Sequence, residues 1–212
     1  MKTSNEYWEW LLKNLPKLFH KLFEEEKKYL QKTITPNAKV LDVGCGNGRN
    51  IADLLPITKN IIGIDNDNQA FTSAKKNFSS YPTIKILKAD ATKLPFENES
   101  FDFIICMNTF INFADKKFII LEEMKRVLKK NGKIIFNIYS EDAKSERLKV
   151  YHGLKIKFEE EGDGVFILGR NKNRVVSEQF SKKQLENIFS QVNLSVEDIT
   201  KVDIAYLCTL TK

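Results

Sequence analysis

The stretch VLDVGCGNGRN, residues 40–50, decides the fold of this chain. Its apolar residues alternate around Asp42. Glycines then occupy every second position, at Gly44, Gly46 and Gly48. Glycine suits places where a chain turns tightly or lets a ligand approach its backbone. The stretch therefore predicts a buried strand that ends in a glycine turn and leads into a helix, with a ligand bound close to the turn.

The spacing of these glycines differs from both common phosphate-binding patterns. The dinucleotide fingerprint requires a third glycine three positions after the second, and Arg49 stands there instead. The Walker loop requires a lysine and then a serine or threonine after its last glycine, whereas Arg49 and Asn50 follow Gly48. Neither pyrophosphate-binding pattern is satisfied.

Composition indicates one domain with an appendage. The chain has 212 residues, of which 42% are hydrophobic, enough for one substantial core. Its net charge of +6 is compatible with nucleic-acid binding, but a lysine-rich surface on a small-molecule enzyme explains it as well. The three cysteines are far apart and lack metal-ligand spacing, so no metal site is predicted and a reducing cytoplasm is favoured over a disulfide framework.

Residues 1–35 are predicted to form an N-terminal helical segment. The run WEWLLKNLPKLFHKLF is interrupted by polar residues and by Pro16, so it predicts neither a signal peptide nor a membrane span, and Pro16 should kink or split the helix. We expect its apolar face to cover the ligand pocket as a lid; the alternative is packing on the back of the sheet for stability alone. That face comprises Trp8, Leu11, Leu12, Leu15, Phe19, Leu22 and Phe23, and Tyr7 adds a polar tip.

Residues 36–212 are predicted to form the main domain. Five strand-like segments alternate with helical segments as far as Ser140, which predicts a doubly wound α/β sheet with parallel strands. Residues 141–176 are interpreted as a variable insertion on the substrate side, irregular and holding a strand or two. The chain should close with a helix capped by Ser181 and two antiparallel strands.

Three acidic residues stand at or near the predicted strand ends: Asp42, Asp65 and Asp90. The carboxyl ends of parallel strands border the crevice where open α/β sheets bind ligands. Asp65 is placed to accept two hydrogen bonds from a ribose diol, and Asp90 to accept one from an exocyclic amino group. The backbone N–H of Ala91 would then serve a ring nitrogen. Any one of these acids could instead cap the following helix.

Four segments between residues 38 and 139 resemble successive motifs of the class I S-adenosylmethionine-dependent methyltransferases, most closely the type 11 group. They are VLDVGCGNG, GID, KADATKLPFENESFDFIICMNTF and EEMKRVLKKNGKIIF. The resemblance implies a mostly parallel, seven-stranded Rossmann-like methyltransferase sheet in the order 3-2-1-4-5-7-6, with strand 7 antiparallel and helices on both faces. It implies S-adenosylmethionine as cofactor and S-adenosylhomocysteine as product. The cofactor-binding residues that it implies are Gly44, Cys45, Gly46, Gly48, Asp65, Asn66, Asp90, Ala91, Met107 and Asn108.

The implied chemistry leaves the catalytic residues unassigned. The sulfonium is already an activated electrophile, so the protein mainly has to position the acceptor and exclude water. Tyr139, His152 and Tyr7 are candidate general bases, and none is preferred. Arg49 could bind the methionine carboxylate of the cofactor, although an exposed helix arginine would have the same sequence.

The acceptor is predicted to be a small molecule, and the enzyme to be cytoplasmic. The segment NTFINFAD after the fourth strand would either wall an apolar acceptor pocket or belong to the core. Two alternatives stay open: a methyltransferase acting on tRNA or rRNA, and a non-catalytic, cofactor-binding partner subunit. The RNA alternative would use basic residues such as Lys125, Arg126, Lys129 and Lys130.

Overall fold

The computed structural model describes residues 14–169 and 174–212. Its strands are β1 (Val40–Val43), β2 (Ile61–Asp65), β3 (Lys85–Lys88), β4 (Phe101–Met107), β5 (Leu128–Tyr139), β6 (Phe158–Glu160), β7 (Phe166–Leu168), β8 (Val175–Ser177), β9 (Ser195–Val202) and β10 (Ala205–Thr211). The helices bounded within these residues are α1 (Lys17–Thr33), α2 (Arg49–Leu54), α3 (Asn68–Asn77), α4 (Lys117–Val127), α5 (Lys144–Gly153) and α6 (Lys182–Gln191). Short 3-10 turns occupy Phe110–Asn112, Ala114–Lys116 and Glu141–Ala143.

Seven strands form one sheet in the order β3-β2-β1-β4-β5-β10-β9. The five strands β3, β2, β1, β4 and β5 pair in parallel, as strands joined by helical crossovers do. β10 inserts between β5 and β9 and is antiparallel to both. With β9 as the sixth strand and β10 as the seventh, the predicted sheet order and the antiparallel seventh strand are confirmed.

Helices cover both faces of this sheet, and the alternation of side chains along β4 shows how. Phe103 and Ile105 of β4 pack with residues of α1, α2 and α3, whereas Ile104 and Cys106 pack on the opposite face with α4 and α6. A strand that is buried on both faces reads as a continuous apolar run, which is the pattern of FIICM in β4. The predicted doubly wound architecture is confirmed.

One boundary differs from what the sequence pattern predicts. The periodic run KKFIILEEMKRVLKK predicts a helix that ends at the Asn-Gly pair at 131–132, but α4 ends at Val127 and β5 begins at Leu128. Leu128 already has extended backbone angles and pairs with Phe101 of β4. A Cβ atom on Gly132 would lie 2.8 Å from the carbonyl oxygen of Asp102. Gly132 therefore permits close strand packing instead of ending a helix.

Helix α1 lies partly on one face of the sheet and partly above its carboxyl end. It begins directly after Pro16. Leu30 packs with the core on the face shared with α2 and α3, whereas Phe19 packs near the end of β5, with its ring 6.4 Å from that of Tyr139. The helix thus contacts both the sheet face and the end of β5, and its function as a lid stays a prediction. The described residues do not include part of the predicted apolar face, namely Trp8, Leu11 and Leu12, or the polar tip Tyr7.

The insertion after β5 is more regular than predicted. It contains the helix α5 and a three-stranded antiparallel sheet in the order β6-β7-β8, whose last strand ends at Ser177. The sequence did not predict α5, because Arg147 occupies a position on the buried side of this helix, next to Val150 and Tyr151.

The C-terminal elements follow the prediction. Ser181 caps α6, and its hydroxyl accepts a hydrogen bond from the Gln184 backbone N–H while the Gln184 side chain accepts one from the Ser181 N–H. β9 and β10 pair as a hairpin whose turn includes Asp203 at a φ of 48°. In the part of the chain that the structure describes, every helix is too short or too polar to cross a bilayer.

Candidate active site

The glycine turn after β1 lies at the carboxyl edge of the sheet, and its three glycines serve different purposes. All three have positive φ, of 74° at Gly44, 56° at Gly46 and 90° at Gly48. A Cβ atom would lie 2.3 Å from Thr109 Cγ2 at Gly44 and 2.2 Å from Phe78 Cε2 at Gly48. At Gly46 it would meet no atom of residues 14–169 or 174–212 within 4 Å. Gly44 and Gly48 are therefore required by packing within the protein, and Gly46 alone of the three faces a space that the described residues leave open.

Asp65 connects the end of β2 to this turn. Its Oδ2 accepts a hydrogen bond of 2.9 Å from the backbone N–H of Gly46, and its Oδ1 accepts one of 2.9 Å from that of Asp67. The carboxylate is half-buried and keeps lone pairs for a further donor. Asp67, and not Asp65, caps α3 by accepting from the backbone of Gln69 and Ala70. The helix-capping role that was considered for Asp65 is thus performed by Asp67.

The segment after β3 forms an exposed side of this edge. Asp90 is exposed, and its Oδ1 accepts a hydrogen bond of 2.9 Å from the Thr92 backbone N–H. That bond holds the pKa of the Asp90 carboxyl below its ordinary value. Asn66 is exposed as well, and Ala91 is half-buried. A planar ligand group bound here would remain partly in contact with water.

Two predicted site residues can contribute only their backbones. Cys45 and Met107 have buried side chains in the core on the α1–α3 face. Asn108 differs, because it is half-buried and has a φ of 58°, which an asparagine tolerates better than most residues. Its side chain donates a hydrogen bond of 2.8 Å to Glu26 Oε1. The predicted residue Asn108 is thereby connected to α1.

A buried polar cluster surrounds this contact. We use the name polar cluster for Glu26, Asp42, Arg49, Asn108 and Asn137. Glu26 is fully buried; its Oε1 accepts from the amides of Asn108 and Asn137, and its Oε2 accepts from Arg49 Nη2 at 2.5 Å. Arg49 is therefore not an exposed helix arginine. The cluster brings together α1, β1, α2 and the ends of β4 and β5.

Asp42 is the exceptional member of the polar cluster. It is fully buried, and neither carboxylate oxygen has a hydrogen-bond partner among the described residues. Burial raises the pKa of Asp42 to about 7, with the Arg49 cation opposing that rise and the Asp65 carboxylate adding to it. Unpartnered buried polar atoms are rare in folded proteins and mark a place where a ligand or water completes the hydrogen bonding.

Sequence reasoning missed Glu26 and Asn137, although each left a signal. The buried residues of α1 are Phe19, Leu22, Glu26 and Leu30, so Glu26 occupies a position of the apolar stripe. Asn137 similarly interrupts the apolar run of β5. A polar residue in an otherwise apolar pattern is what a buried site produces.

Comparison with known proteins identifies the family of this chain. Residues 41–136 match the type 11 family whose description is "Methyltransferase domain". An uncharacterized protein of Methanocaldococcus jannaschii is 30% identical over 205 residues, which cover 96% of this chain and 89% of that protein. The chain belongs to the type 11 family of class I S-adenosylmethionine-dependent methyltransferases.

Two further similarities concern enzymes of this kind. A demethylmenaquinone methyltransferase of Staphylococcus aureus is 28% identical over 147 residues, 63% of this chain and 61% of that enzyme. The fold also matches the 1,6-didemethyltoxoflavin-N1-methyltransferase of Burkholderia thailandensis, solved with its substrate and S-adenosylhomocysteine. That likeness has a TM-score of 0.68 at 14% identity and covers 90% of this chain and 77% of that one. The protein is thus an enzyme that uses S-adenosylmethionine.

The residues of this methyltransferase fit its cofactor. The amino-acid end of S-adenosylmethionine carries an ammonium and a carboxylate. Among the described residues, the Asp42 oxygens and Arg49 Nη1 have no hydrogen-bond partner, and Nη1 has only an ion pair of 3.8 Å with Asp53, so the polar cluster offers acceptors and a donor. Asp65 offers acceptors for a ribose diol, and the space over Gly46 permits close approach. In residues 14–169 and 174–212 no group of His, Cys, Asp or Glu side chains is arranged to hold a metal ion.

Tyr139, a candidate general base, lies at the carboxyl end of β5. The half-buried ring of Tyr139 lies 5.0 Å from the guanidinium carbon of Arg147. Burial raises the pKa of Tyr139, so its hydroxyl stays protonated at neutral pH and is a poor general base. His152 is exposed on α5, and Tyr7 lies outside the described residues. None of the candidate bases is therefore supported by the described geometry.

Arg147 is the structural centre of the insertion. It is fully buried, and it donates to Gly164 O, Ser177 O, Ser177 Oγ, Gln179 Oε1 and the Tyr151 hydroxyl. All five of its N–H groups are thus hydrogen-bonded, and all five acceptors are uncharged. This arginine holds α5, β8 and the turn before β7 together and has no donor left for a ligand.

Two further sequence interpretations are decided by packing. Phe110 of the NTFINFAD segment is fully buried, with its ring centroid 5.2 Å from that of Phe136 and 6.1 Å from that of Phe189, so this residue belongs to the core. The basic residues proposed for RNA are largely engaged within the protein. Arg126 bonds to Leu94 O, Phe96 O and Glu123, Lys125 to Val192 O and Lys129 to Asp102, and Lys129 and Lys130 lie on β5.

Proposed function

We propose that this methyltransferase transfers its methyl group to a small-molecule acceptor that binds beside Tyr139. The observation that carries this proposal is the cover over the carboxyl end of β5. Phe19 and Leu22 of α1 pack with Val150 and Tyr151 of α5 in one hydrophobic cluster there. A folded RNA would have to displace this cover, whereas a small molecule needs far less room at the end of the strand.

The cofactor roles that we propose follow from the carboxyl edge of the sheet. Gly46 lets the cofactor approach the backbone, and Asp65 accepts from the ribose hydroxyls. Asp90 and the Ala91 N–H bind the adenine edge, with Asn66 beside the ring. Gly44, Cys45, Gly48, Met107 and Asn108 shape the walls through their backbones or their packing.

The chemistry proposed for the protein's own residues is positioning. S-adenosylmethionine supplies a methyl group that is already activated on a sulfonium. The apolar side chains of α1 and of the insertion exclude water, and the Tyr139 hydroxyl orients the acceptor as a hydrogen-bond donor. An acceptor whose nucleophile is unprotonated at neutral pH, or easily deprotonated, suits a site of this kind.

Two relatives support the acceptor class. By their names, the enzyme of Staphylococcus aureus acts on demethylmenaquinone and that of Burkholderia thailandensis on a toxoflavin precursor, and both of these are small molecules. The RNA alternative loses support because Arg126, Lys125 and Lys129 are held by contacts within the protein. Cytoplasmic location stays a prediction from the sequence.

A labelling experiment tests this proposal. The protein is incubated with S-adenosylmethionine carrying a labelled methyl group and with a cell extract, with and without nuclease treatment, and the label is separated by size. We expect the label in a low-mass fraction that nuclease does not change, and a strong reduction with the Asp65→Ala variant. Label that resides in RNA and disappears after nuclease treatment would contradict the small-molecule acceptor.

A further inference from the structure

We infer that Glu26 of α1 is a positioning residue of the cofactor site. Through Arg49, Asn108 and Asn137 it fixes the polar groups that receive the amino-acid end of S-adenosylmethionine. This inference rests on the cofactor placement given under the proposed function. It assigns to the N-terminal helix a role in cofactor binding besides its role as cover.

The first argument is the position of Glu26 on its helix. Leu22 and Leu30 stand four residues before and after it on the same buried face of α1, so a leucine would complete the apolar stripe. A buried carboxylate is instead costly, because it loses its hydration and must be compensated by charge and hydrogen bonds. A side chain that only anchored the helix would not need a charge at this position.

The second argument is the set of partners. Arg49 comes from the first turn of α2, Asn108 follows β4, and Asn137 lies near the end of β5. All three donate to Glu26, and Arg49 also stacks over the Phe23 ring at 4.2 Å, so α1 holds this arginine on two sides. One carboxylate therefore fixes side chains from three elements that meet at the carboxyl edge.

The third argument is what these partners leave unused. Seven buried side-chain atoms lack a hydrogen-bond partner in the described residues. Four of the seven belong to the polar cluster: both oxygens of Asp42, Nη1 of Arg49 and Oδ1 of Asn137. They comprise three acceptors and one donor, a set that complements an ammonium and a carboxylate on the same ligand. Glu26 has partners for both of its oxygens, so its part is to orient the members of this set that it contacts, Arg49 and Asn137, beside Asp42.

Binding of two ligands distinguishes a positioning role of Glu26 from a role in stability alone. S-adenosylhomocysteine has the amino-acid end, whereas 5′-methylthioadenosine has the same nucleoside and sulfur without it. We expect Glu26→Gln to weaken binding of S-adenosylhomocysteine about ten- to hundredfold, measured by calorimetry without any acceptor. Binding of 5′-methylthioadenosine should change by less than about threefold. The exposed neighbour Glu24 gives the matched control, because Glu24→Gln makes the same chemical change on the same helix and should change neither affinity.

A double variant tests whether Glu26 acts through Arg49. Because Asn108 and Asn137 also donate to Glu26, adding Glu26→Gln to Arg49→Gln should weaken S-adenosylhomocysteine binding further, but by a smaller factor than Glu26→Gln does in the wild type. Should Glu26→Gln not fold, Arg49→Gln decides alone: selective loss of S-adenosylhomocysteine binding supports the inference, and unchanged binding overturns it. Equal weakening of both ligands by Glu26→Gln, or of neither, also overturns it. Asp65→Ala should weaken both ligands; if it weakens neither, the proposed cofactor placement has failed and not only the role of Glu26.

Discussion

The cofactor side and the acceptor side, so called after the roles proposed above, each bury a charge, and they treat it in opposite ways. Arg147 on the acceptor side has all five N–H groups hydrogen-bonded within the protein. Asp42 on the cofactor side is equally buried, yet both of its oxygens lack a partner in the described residues. Full hydrogen bonding is typical of a structural residue such as Arg147, and the unmet oxygens of Asp42 support its proposed place in a binding site.

This contrast also separates what each region contributes to stability. A buried polar network with every member satisfied makes a structure rigid, whereas an unsatisfied charge lowers the stability of the ligand-free protein. We therefore expect substitutions on the cofactor side to change ligand affinity more than folding. Substitutions in the insertion should do the reverse.

The largest effect is expected for Asp42→Asn in the ligand-free protein. Because the folded-state pKa of Asp42 is raised to about 7, the wild type loses stability as pH rises from the unfolded pKa to the folded one. Asparagine resembles the protonated acid and does not titrate. The variant should thus become more stable than the wild type by up to about 4 kcal/mol above pH 7, with no such gain near pH 4.

Denaturant unfolding of both proteins across this pH range measures the difference. Saturating S-adenosylhomocysteine should reduce it, because a bound ammonium stabilises the ionised carboxylate of the wild type. If the free energy of unfolding of the two proteins changes with pH in the same way, the ionised Asp42 carboxylate does not destabilise the folded protein, and the prediction is wrong.

Arg147→Met should have the next largest effect, and it should be confined to folding. Four acceptors besides the Tyr151 hydroxyl lose their donor, so the free energy of unfolding should fall by about 3 kcal/mol. Limited proteolysis should open residues 141–176 first, while S-adenosylhomocysteine affinity at low temperature stays within about threefold of wild type. A large loss of cofactor affinity in a folded Arg147→Met protein would remove the separation between the two sides.

Asp65→Ala should act mainly on affinity. The ribose diol loses its acceptor and the Gly46 backbone loses its anchor, so S-adenosylhomocysteine should bind about ten- to hundredfold more weakly by calorimetry. Asp65→Asn retains an oxygen that can accept and should recover part of the loss. Unchanged affinity in Asp65→Ala, with an intact circular dichroism spectrum, would exclude this residue from the site.

The smallest effect should come from Gly46→Ala, and Gly44→Ala gives the contrast. At Gly46 the new methyl group meets none of the described residues, so the free energy of unfolding should fall by only about 1 kcal/mol, the cost of a positive φ at alanine. S-adenosylhomocysteine should bind about tenfold more weakly, because the methyl group occupies the space of the cofactor. At Gly44 the methyl group would overlap Thr109, so unfolding temperature should fall further than in Gly46→Ala. If Gly46→Ala binds as tightly as the wild type, the cofactor does not approach this backbone.

The same contrast explains what could be predicted from the sequence. The glycine turn, the acids at strand ends and the alternation of strands and helices depend on local patterns, and the sheet order followed from the family resemblance that these patterns carry. Glu26 acts through Asn137, a contact across 111 positions, and Arg147 acts through Ser177. The sequence shows such long-range contacts only as a polar residue within an otherwise apolar pattern. The order of the sheet was therefore predictable, but the polar cluster and α5 were not.

A crystal structure with S-adenosylhomocysteine tests the central claim most directly. The account predicts the ribose hydroxyls within hydrogen-bond distance of Asp65, the cofactor chain against Gly46, and the amino-acid end beside Asp42 and Arg49, with Glu26 still bound to Arg49. A ligand bound at the carboxyl edge with its amino-acid end away from the polar cluster, or one bound elsewhere on the molecule, would contradict it.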